Sequence, residues 1–224
     1  MDVSLSKKSR EISPSKSWGE VREGLGLLIL AGGVSKRIVG KKSLLEIAGK
    51  PMIQLVAARV SVLSKEMVIS YKSGKKELEK LFPNAEIVLD KWVEKGALTG
   101  IRSSLPRIKS EYVALLACDC PFVKPEVIEI LYKGARGHDG AILKWPDGRI
   151  EPLQAVYRTR SLRDAVEDTW KSGKMRVGVV LERLDIVYLT PEKLKKVDPE
   201  LMSFININSL EDISRLRRRF RSIG

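Results

Sequence analysis

A short apolar run, followed at once by two glycines and a group of cations, constrains this chain more than any other feature. Residues 27–31 read LLILA, an uninterrupted apolar stretch typical of a strand buried on both faces. Gly32 and Gly33 end the run and let the backbone turn with its N–H groups exposed. The next residues include four cations, at Lys36, Arg37, Lys41 and Lys42. Since backbone amides cradle phosphate oxygens and cations neutralise them, the stretch predicts a phosphate-binding loop.

Strand and helix patterns then alternate along the first half of the chain. Residues 67–71, 87–89 and 112–117 are predicted strands. Predicted helices cover 52–63, 77–82, a segment opening between Gly96 and Gly100, and 127–131. Strand, loop and helix repeated in this way favour an α/β fold: a mostly parallel sheet with helices on both faces.

The second half of the chain has a different character. Strands are predicted at 139–143, at 152–157 (exposed or antiparallel), at 186–189 and at 204–208; helices are predicted at 161–170 and 177–183. The last of these strands reads FININ, so Asn206 and Asn208 should share one face. Ser209 is predicted to cap a final helix.

Polar residues stand where the predicted parallel strands end. Ser70, Asp90 and Asp119 follow successive strands, and parallel sheets bind ligands at this edge. Asp119 could equally cap the following helix. With a phosphate loop on the same edge, binding of Mg²⁺ is favoured, because that ion takes one or two carboxylates plus substrate phosphates. Asp90 is the weaker candidate, since Asp at a strand end is commonly a turn residue.

Composition narrows the class of protein. The chain has 224 residues and a net charge of +13, which implies an anionic partner: nucleic acid, an acidic membrane surface or a phosphorylated small molecule. A single histidine, His138, argues against a histidine-rich metal site or a histidine-based triad and is expected to be solvated. No stretch approaches a membrane span and the N-terminus lacks a signal-peptide core, so a cytoplasmic location is expected.

Several features favour a structural interpretation over a functional one. Residues 1–24 are polar and are expected to form a flexible extension before a single domain at 25–224. Cys118 and Cys120 are interpreted as reduced, small core residues. The arginines at 215–221 are interpreted as charges at a helix end, which makes nucleic acid an unlikely partner.

Four separated blocks resemble the molybdenum cofactor guanylyltransferase family of nucleotidyltransferases. The blocks read LAGGVSKR at 30–37 with Lys42, LACDCPF at 116–122, EPLQAVY at 151–157 and FININSLEDI at 204–213. The first two are shared by nucleotidyltransferases in general. The Glu-Pro-Leu strand, the loop at 173–176 and the Asn-x-Asn ending narrow the resemblance to this family. It implies a three-layer, Rossmann-like fold of the nucleotide-diphospho-sugar-transferase type.

The resemblance also implies roles for individual residues. Arg37, Lys42 and Asp119 would be catalytic, with Asp119 holding Mg²⁺. The substrates would be bound by Leu30, Ala31, Gly32, Gly33, Lys42, Ser70, Asp90, Gly100, Asp119, Arg176, Asn206 and Asn208. The loop departs from the family at two positions, with Val39 where Gly is usual and Lys41 where an acidic residue is usual.

The implied reaction transfers GMP from GTP to the terminal phosphate of molybdopterin carrying molybdenum or tungsten, releasing pyrophosphate. The partners would be GTP, that acceptor and, transiently, other proteins of the same pathway, without a membrane. Two alternatives remain at this stage. One is a nucleotidyltransferase with a cobinamide-phosphate, phospholactate or sugar-phosphate acceptor. The other is a nucleotide-binding protein without activity, which the departures at Val39 and Lys41 motivate.

Overall fold

The computed structural model describes residues 23–31, 45–47, 49–72, 75–90, 96–209, 211–212 and 214. Its strands are β1 (Leu25–Leu30), β2 (Glu46–Ile47), β3 (Lys50–Pro51), β4 (Met67–Tyr71), β5 (Glu86–Leu89), β6 (Tyr112–Ala117), β7 (Gly140–Leu143), β8 (Gln154–Arg158) and β9 (Ile186–Leu189). Its helices are α1 (Met52–Val60), α2 (Lys75–Leu81), α3 (Ala97–Ser104), α4 (Pro125–Ala135), α5 (Thr159–Lys171), α6 (Val177–Leu181) and α7 (Pro191–Lys195). Short 3₁₀ helices lie at Leu105–Arg107 and Met202–Phe204.

Seven strands form one sheet in the order β5-β4-β1-β6-β8-β7-β9, and β2 pairs with β3 separately. β1 is parallel to both neighbours, β4 and β6, and β4 is parallel to β5. β8 is antiparallel to β6 and to β7, whereas β7 and β9 are parallel. Within this sheet β8 alone is reversed, so its first residue lies at the edge where β6 ends.

Apolar side chains leave both faces of the sheet. In β1, Leu27 and Ile29 join the core that α1 and α4 cover, and Leu28 joins the core that α3 and α5 cover. This alternation follows from the two-residue period of a strand. The predicted α/β architecture of three layers is confirmed.

The predicted strands compare well with the observed ones, with two corrections. β4, β6 and β9 have the predicted bounds, and β8 is antiparallel as one alternative held. The other alternative, an exposed strand, is wrong, because Gln154–Tyr157 are buried between β6 and β7. The strand predicted at 204–208 is also wrong: residues 205–208 lie outside every strand, because both sides of β6 are taken by β1 and β8. The β2–β3 pair and α7 have no counterpart in the predictions.

Part of the predicted site lies outside the described residues. Gly32, Gly33, Arg37 and Lys42 are not among them, nor are residues 1–22 and 215–224. Within the described part of the chain, no helix is long and apolar enough to cross a membrane.

Candidate active site

The ends of β1, β4 and β6 lie side by side at the predicted edge. Leu30 is level with Ser70 on one side and with Ala117 on the other. The N–H of Ala31 donates to the carbonyl oxygen of Ser70 at 2.8 Å, and the N–H of Cys118 donates to that of Leu30 at 3.3 Å. The residues following these strands therefore start from adjacent positions, as the parallel pattern predicts.

Gly100 brings α3 against this edge. A Cβ on Gly100 would lie 2.6 Å from the Oγ of Ser70 and 3.5 Å from the Cδ2 of Leu30. Real Cβ atoms essentially never approach another heavy atom as closely as the first of these distances. The structure therefore joins three predicted nucleotide-binding residues, Leu30, Ser70 and Gly100, in direct contact.

Asp90 is a buried, hydrogen-bonded carboxylate, whereas a turn residue would be solvated. Its side chain accepts a hydrogen bond of 2.7 Å from the hydroxyl of Thr99 and lies 3.5 Å from the Nζ of Lys72. Its backbone N–H donates to the carbonyl oxygen of Tyr71 at 2.8 Å. These contacts give the buried carboxylate the polar partners that its burial requires. The arrangement fixes Asp90 between the end of β4 and the first turn of α3.

Asp119 is half-buried in a tight turn directly after β6. The N–H of Cys120 donates to the carbonyl oxygen of Ala117 at 3.2 Å, which closes the turn. The N-cap of α4 is Lys124, so Asp119 does not cap that helix and this alternative is wrong. The carboxylate is instead presented at the edge where β1 and β6 end.

Asn206 lies beside Asp119 although the two are far apart in the sequence. The N–H of Ile207 donates to the carbonyl oxygen of Asp119 at 2.8 Å. The thiol of Cys120 lies 3.1 Å from the Oδ1 of Asn206 and 4.0 Å from the Oδ1 of Asp119. Asn206 and Asn208 are both exposed on either side of buried Ile207. Both asparagines are therefore accessible to solvent, and their shared face stays a prediction.

The final predicted helix has the expected cap. The Oγ of Ser209 accepts a hydrogen bond of 3.1 Å from the N–H of Asp212. The carboxylate of Asp212 accepts one of 2.8 Å from the N–H of Asn208. These two bonds satisfy backbone N–H groups at the start of the helix.

Ser203, which is fully buried, anchors the segment that carries Asn206. Its Oγ accepts a hydrogen bond from the N–H of Lys124 at 2.9 Å, and its N–H donates to the carboxylate of Asp198 at 2.8 Å. Its carbonyl oxygen accepts from the side-chain amide of Gln154 at 3.2 Å. The Oε1 of Gln154 in turn accepts from the N–H of Ala117 at 3.3 Å. The start of β8 thereby links the end of β6 to the 3₁₀ helix at Met202–Phe204.

A buried tyrosine fixes the bend between the start of the EPLQAVY block and β8. The hydroxyl of Tyr157 donates to the carbonyl oxygen of Pro152 at 2.8 Å. Burial raises the pKa of Tyr157 well above its ordinary value, so this donor stays protonated. Trp145 donates to the carboxylate of Glu151 at 2.7 Å and fixes the other end of the block.

Among the described residues, Arg176 and His138 make their hydrogen bonds away from this group. Arg176 is exposed at the N-cap of α6; its N–H donates to the carbonyl oxygen of Lys174, and its carbonyl oxygen accepts from the N–H of Val179. His138 is exposed, as expected for a solvated side chain, yet it pairs with Asp185 at 2.8 Å. A role for Arg176 therefore stays a prediction.

The described residues suit a magnesium ion that is held by a protein carboxylate together with substrate phosphates. Among them, no group of three or more His, Cys, Asp or Glu side chains could hold a metal ion. A site built by protein ligands alone is thus not present in that part of the chain. Mg²⁺ commonly uses one or two carboxylates and fills its remaining positions with water and substrate phosphates. The half-buried Asp119 carboxylate, at the edge predicted to carry phosphates, suits that mode of binding.

Sequence reasoning missed four residues that support the predicted ones: Thr99, Cys120, Gln154 and Ser203. Gln154 and Arg158 are the two strongly polar residues of β8, and Gln154 is the one that is fully buried; a polar residue in such a strand could have marked it. Thr99 directly precedes the predicted Gly100. For Ser203 the sequence offers no signal, because two of its three partners, Lys124 and Gln154, are 79 and 49 residues away in the sequence.

Comparison with known proteins gives a consistent result. The model of the MobA-like NTP transferase domain family matches residues 27–187. The chain is 34% identical over 203 residues to a probable molybdenum cofactor guanylyltransferase of Methanosarcina mazei, covering 84% of this chain and 88% of that protein. A second such protein, from Methanosarcina acetivorans, is 36% identical over 197 residues, covering 83% of this chain and 87% of its own length. The crystal structure of molybdopterin-guanine dinucleotide biosynthesis protein A from Archaeoglobus fulgidus superposes with a TM-score of 0.74 at 35% identity, covering 88% of this chain and 99% of that one.

Proposed function

The chain belongs to the MobA-like family of nucleotidyltransferases, and we propose that it transfers GMP from GTP to the terminal phosphate of molybdopterin. The product is the guanine dinucleotide form of the cofactor, and pyrophosphate leaves. One structural observation carries the proposal. Asp119, which family resemblance assigns to the nucleotide and metal, lies directly against the segment of Asn206, which it assigns to the acceptor or the metal.

The nucleotide side of the site consists of the ends of β1 and β4 with the start of α3. Leu30 and Ala31 offer backbone groups, and Ser70 with Gly100 forms a tight wall beside them. Asp90 is held for GTP by Thr99 and Lys72. From the loop after β1, Gly32, Gly33, Arg37 and Lys42 are assigned to phosphate binding on the residue pattern and on family resemblance.

The acceptor side consists of Asn206 and Asn208, with Arg176 as a further candidate contact. The two asparagines are exposed on an anchored segment, where both can contact a phosphate or the pterin. Arg176 would add positive charge if the acceptor extends toward α6. The net charge of +13 suits two substrates that both carry phosphates.

The chemistry requires positioning more than acid–base groups. An oxygen of the acceptor phosphate attacks the α-phosphorus of GTP, a new P–O bond forms, and the bond to the β-phosphate breaks. A phosphate monoester is already mostly dianionic at neutral pH, so the nucleophile needs no base. Asp119 would hold Mg²⁺, which would neutralise charge on the phosphates. Lys42 and Arg37 add fixed positive charge, and Asp90 and Asn206 orient the two substrates.

Two further assignments accompany this function. We propose a cytoplasmic location, since Cys118 and Cys120 are interpreted as buried, reduced cysteines. We also propose transient contact with proteins that deliver the acceptor or take up the product.

The direct test uses GTP labelled at the α-phosphate, Mg²⁺ and molybdopterin. Label should appear in a guanine dinucleotide, and pyrophosphate should form in equal amount. Matched reactions with a sugar phosphate, cobinamide phosphate or phospholactate, and with CTP or ATP in place of GTP, should be at least tenfold slower. If transfer to one of those acceptors is faster than transfer to molybdopterin, that compound becomes the proposed acceptor. Binding of GTP without turnover on any acceptor would make the chain a non-catalytic member of its family.

A further inference from the structure

The thiol of Cys120 contacts a residue of the proposed acceptor site, although nothing in the family roles involves it. Its Sγ lies 3.1 Å from the Oδ1 of Asn206, and the side chain is only 3% exposed. A thiol is a weak hydrogen-bond donor, and a carbonyl oxygen is the acceptor that suits it. Cys120 therefore does more than fill space beside Asp119.

The two ends of an asparagine amide differ chemically, so its orientation matters. The oxygen only accepts hydrogen bonds and the nitrogen only donates them. A phosphate needs donors. If the oxygen faces the thiol, the NH₂ group is turned toward the exposed side of Asn206, where an anionic acceptor would bind.

We infer that Cys120 is a positioning residue whose thiol holds the Asn206 amide with its NH₂ group toward the acceptor phosphate. The inference rests on the proposed function for the identity of the acceptor, but not for the orientation of the amide. It deepens that function by adding a residue that acts through Asn206 without itself touching substrate.

The backbone around Asn206 is fixed by other contacts. Ile207 donates to Asp119, and Ser203 is bonded to Lys124 and Asp198. Removal of the thiol should therefore leave the segment in place and free only the rotation of the amide. An amide that rotates presents its oxygen to the phosphate for part of the time, which weakens acceptor binding by electrostatic repulsion.

Substitutions at Cys120 separate this role from simple packing. Cys120→Ser keeps a donor of similar size, and Cys120→Ala removes it. If the thiol only fills space, Ala should be tolerated better than Ser, because Ser buries an additional polar group. If it positions Asn206, the order is reversed: the KM for molybdopterin should rise about fivefold in Cys120→Ala and stay within about twofold in Cys120→Ser. The KM for GTP should remain within about twofold in both.

Cys118 provides the matched control. It is 4% exposed, lies two positions away and packs in the core covered by α1 and α4. Cys118→Ala and Cys118→Ser should leave the KM for molybdopterin within about twofold. Thermal unfolding of all four variants checks that the fold is retained.

A measurement on the amide itself does not depend on the reaction. The side-chain NH₂ signals of Asn206 are identified by their loss in Asn206→Asp, and ¹⁵N relaxation then reports their order. The order parameter should fall in Cys120→Ala and remain near the wild-type value in Cys120→Ser and both Cys118 variants. An unchanged order parameter in Cys120→Ala overturns the inference, as does a better-tolerated Ala than Ser. A wild-type protein without transfer activity would instead contradict the proposed function, and the relaxation result would still decide the role of Cys120.

Discussion

The Oγ of Ser70 lies 2.6 Å from the position that a Cβ on Gly100 would occupy. The two residues come from β4 and α3, and their contact sets how closely that helix approaches the end of the strand. Any side chain at position 100 must push α3 or Ser70 away from the proposed nucleotide site.

Gly100→Ala is therefore expected to raise the KM for GTP about tenfold. The added methyl group overpacks the binding surface, at a cost of about 1–3 kcal/mol. Replacing Ser70 with Ala in the same chain should recover part of the loss, since the obstructing oxygen is gone. Steady-state kinetics of the single and double variants measure this coupling. Gly178→Ala in α6 is the control, because no atom lies within 4 Å of its added Cβ. A Gly100→Ala enzyme whose KM for GTP equals that of the wild type would contradict the importance of the close contact between Gly100 and Ser70.

Asp119→Asn should reduce guanylyl transfer by about 10²-fold or more while leaving the unfolding temperature nearly unchanged. The substitution keeps the shape of the side chain and removes the charge proposed to hold Mg²⁺. Asp147→Asn is the matched control, since Asp147 is exposed in a turn and pairs with Arg149 at 2.7 Å. The measurement is the rate of guanylyl transfer at a series of Mg²⁺ concentrations. Full wild-type activity in excess EDTA would remove the metal from the proposal.

Thr99→Val should raise the KM for GTP about five- to tenfold, because Asp90 loses the buried hydrogen bond that orients it. Thr99→Ser retains the hydroxyl and should stay within about twofold. Titration of GTP without acceptor should show the same difference in Kd. Equal effects of Val and Ser would mean that Thr99 acts by packing alone.

Lys42→Ala should lower kcat/KM for GTP by about 10²-fold, whereas Lys41→Ala should lower it by less than about fivefold. Family spacing places the phosphate-binding cation five residues after Arg37, and adjacent side chains of an extended loop point in opposite directions. Single-variant kinetics at saturating acceptor compare the two. Equal losses would mean that both cations reach the triphosphate, and a larger loss at Lys41 would mean that Gly40 shifts the loop by one position.

The sequence predicts the parallel half of the fold well, because buried strands such as β4 and β6 are apolar runs of characteristic length. The edge where Ser70, Asp90 and Asp119 meet follows from the same pattern. The segment of Asn206 is predicted less well. Polar and apolar residues do alternate in this segment. Whether it pairs as a strand depends on a free edge of the sheet, which no local pattern reveals. The contacts of Ser203 and Cys120 depend on distant elements and become visible only in the structure.

The reversed strand β8 has a consequence for how the chain can be made. Until residues 154–158 are synthesised, β6 has a partner only in β1, and its other side, along the apolar segment YVALLA, is an unpaired edge. Such an edge is a template for strands of other molecules. A fragment ending after α4 would contain the signature loop, Asp90 and Asp119, yet it would be prone to aggregate. The portion that carries the nucleotide residues is thus not a portable module, and during translation it depends on residues that emerge later.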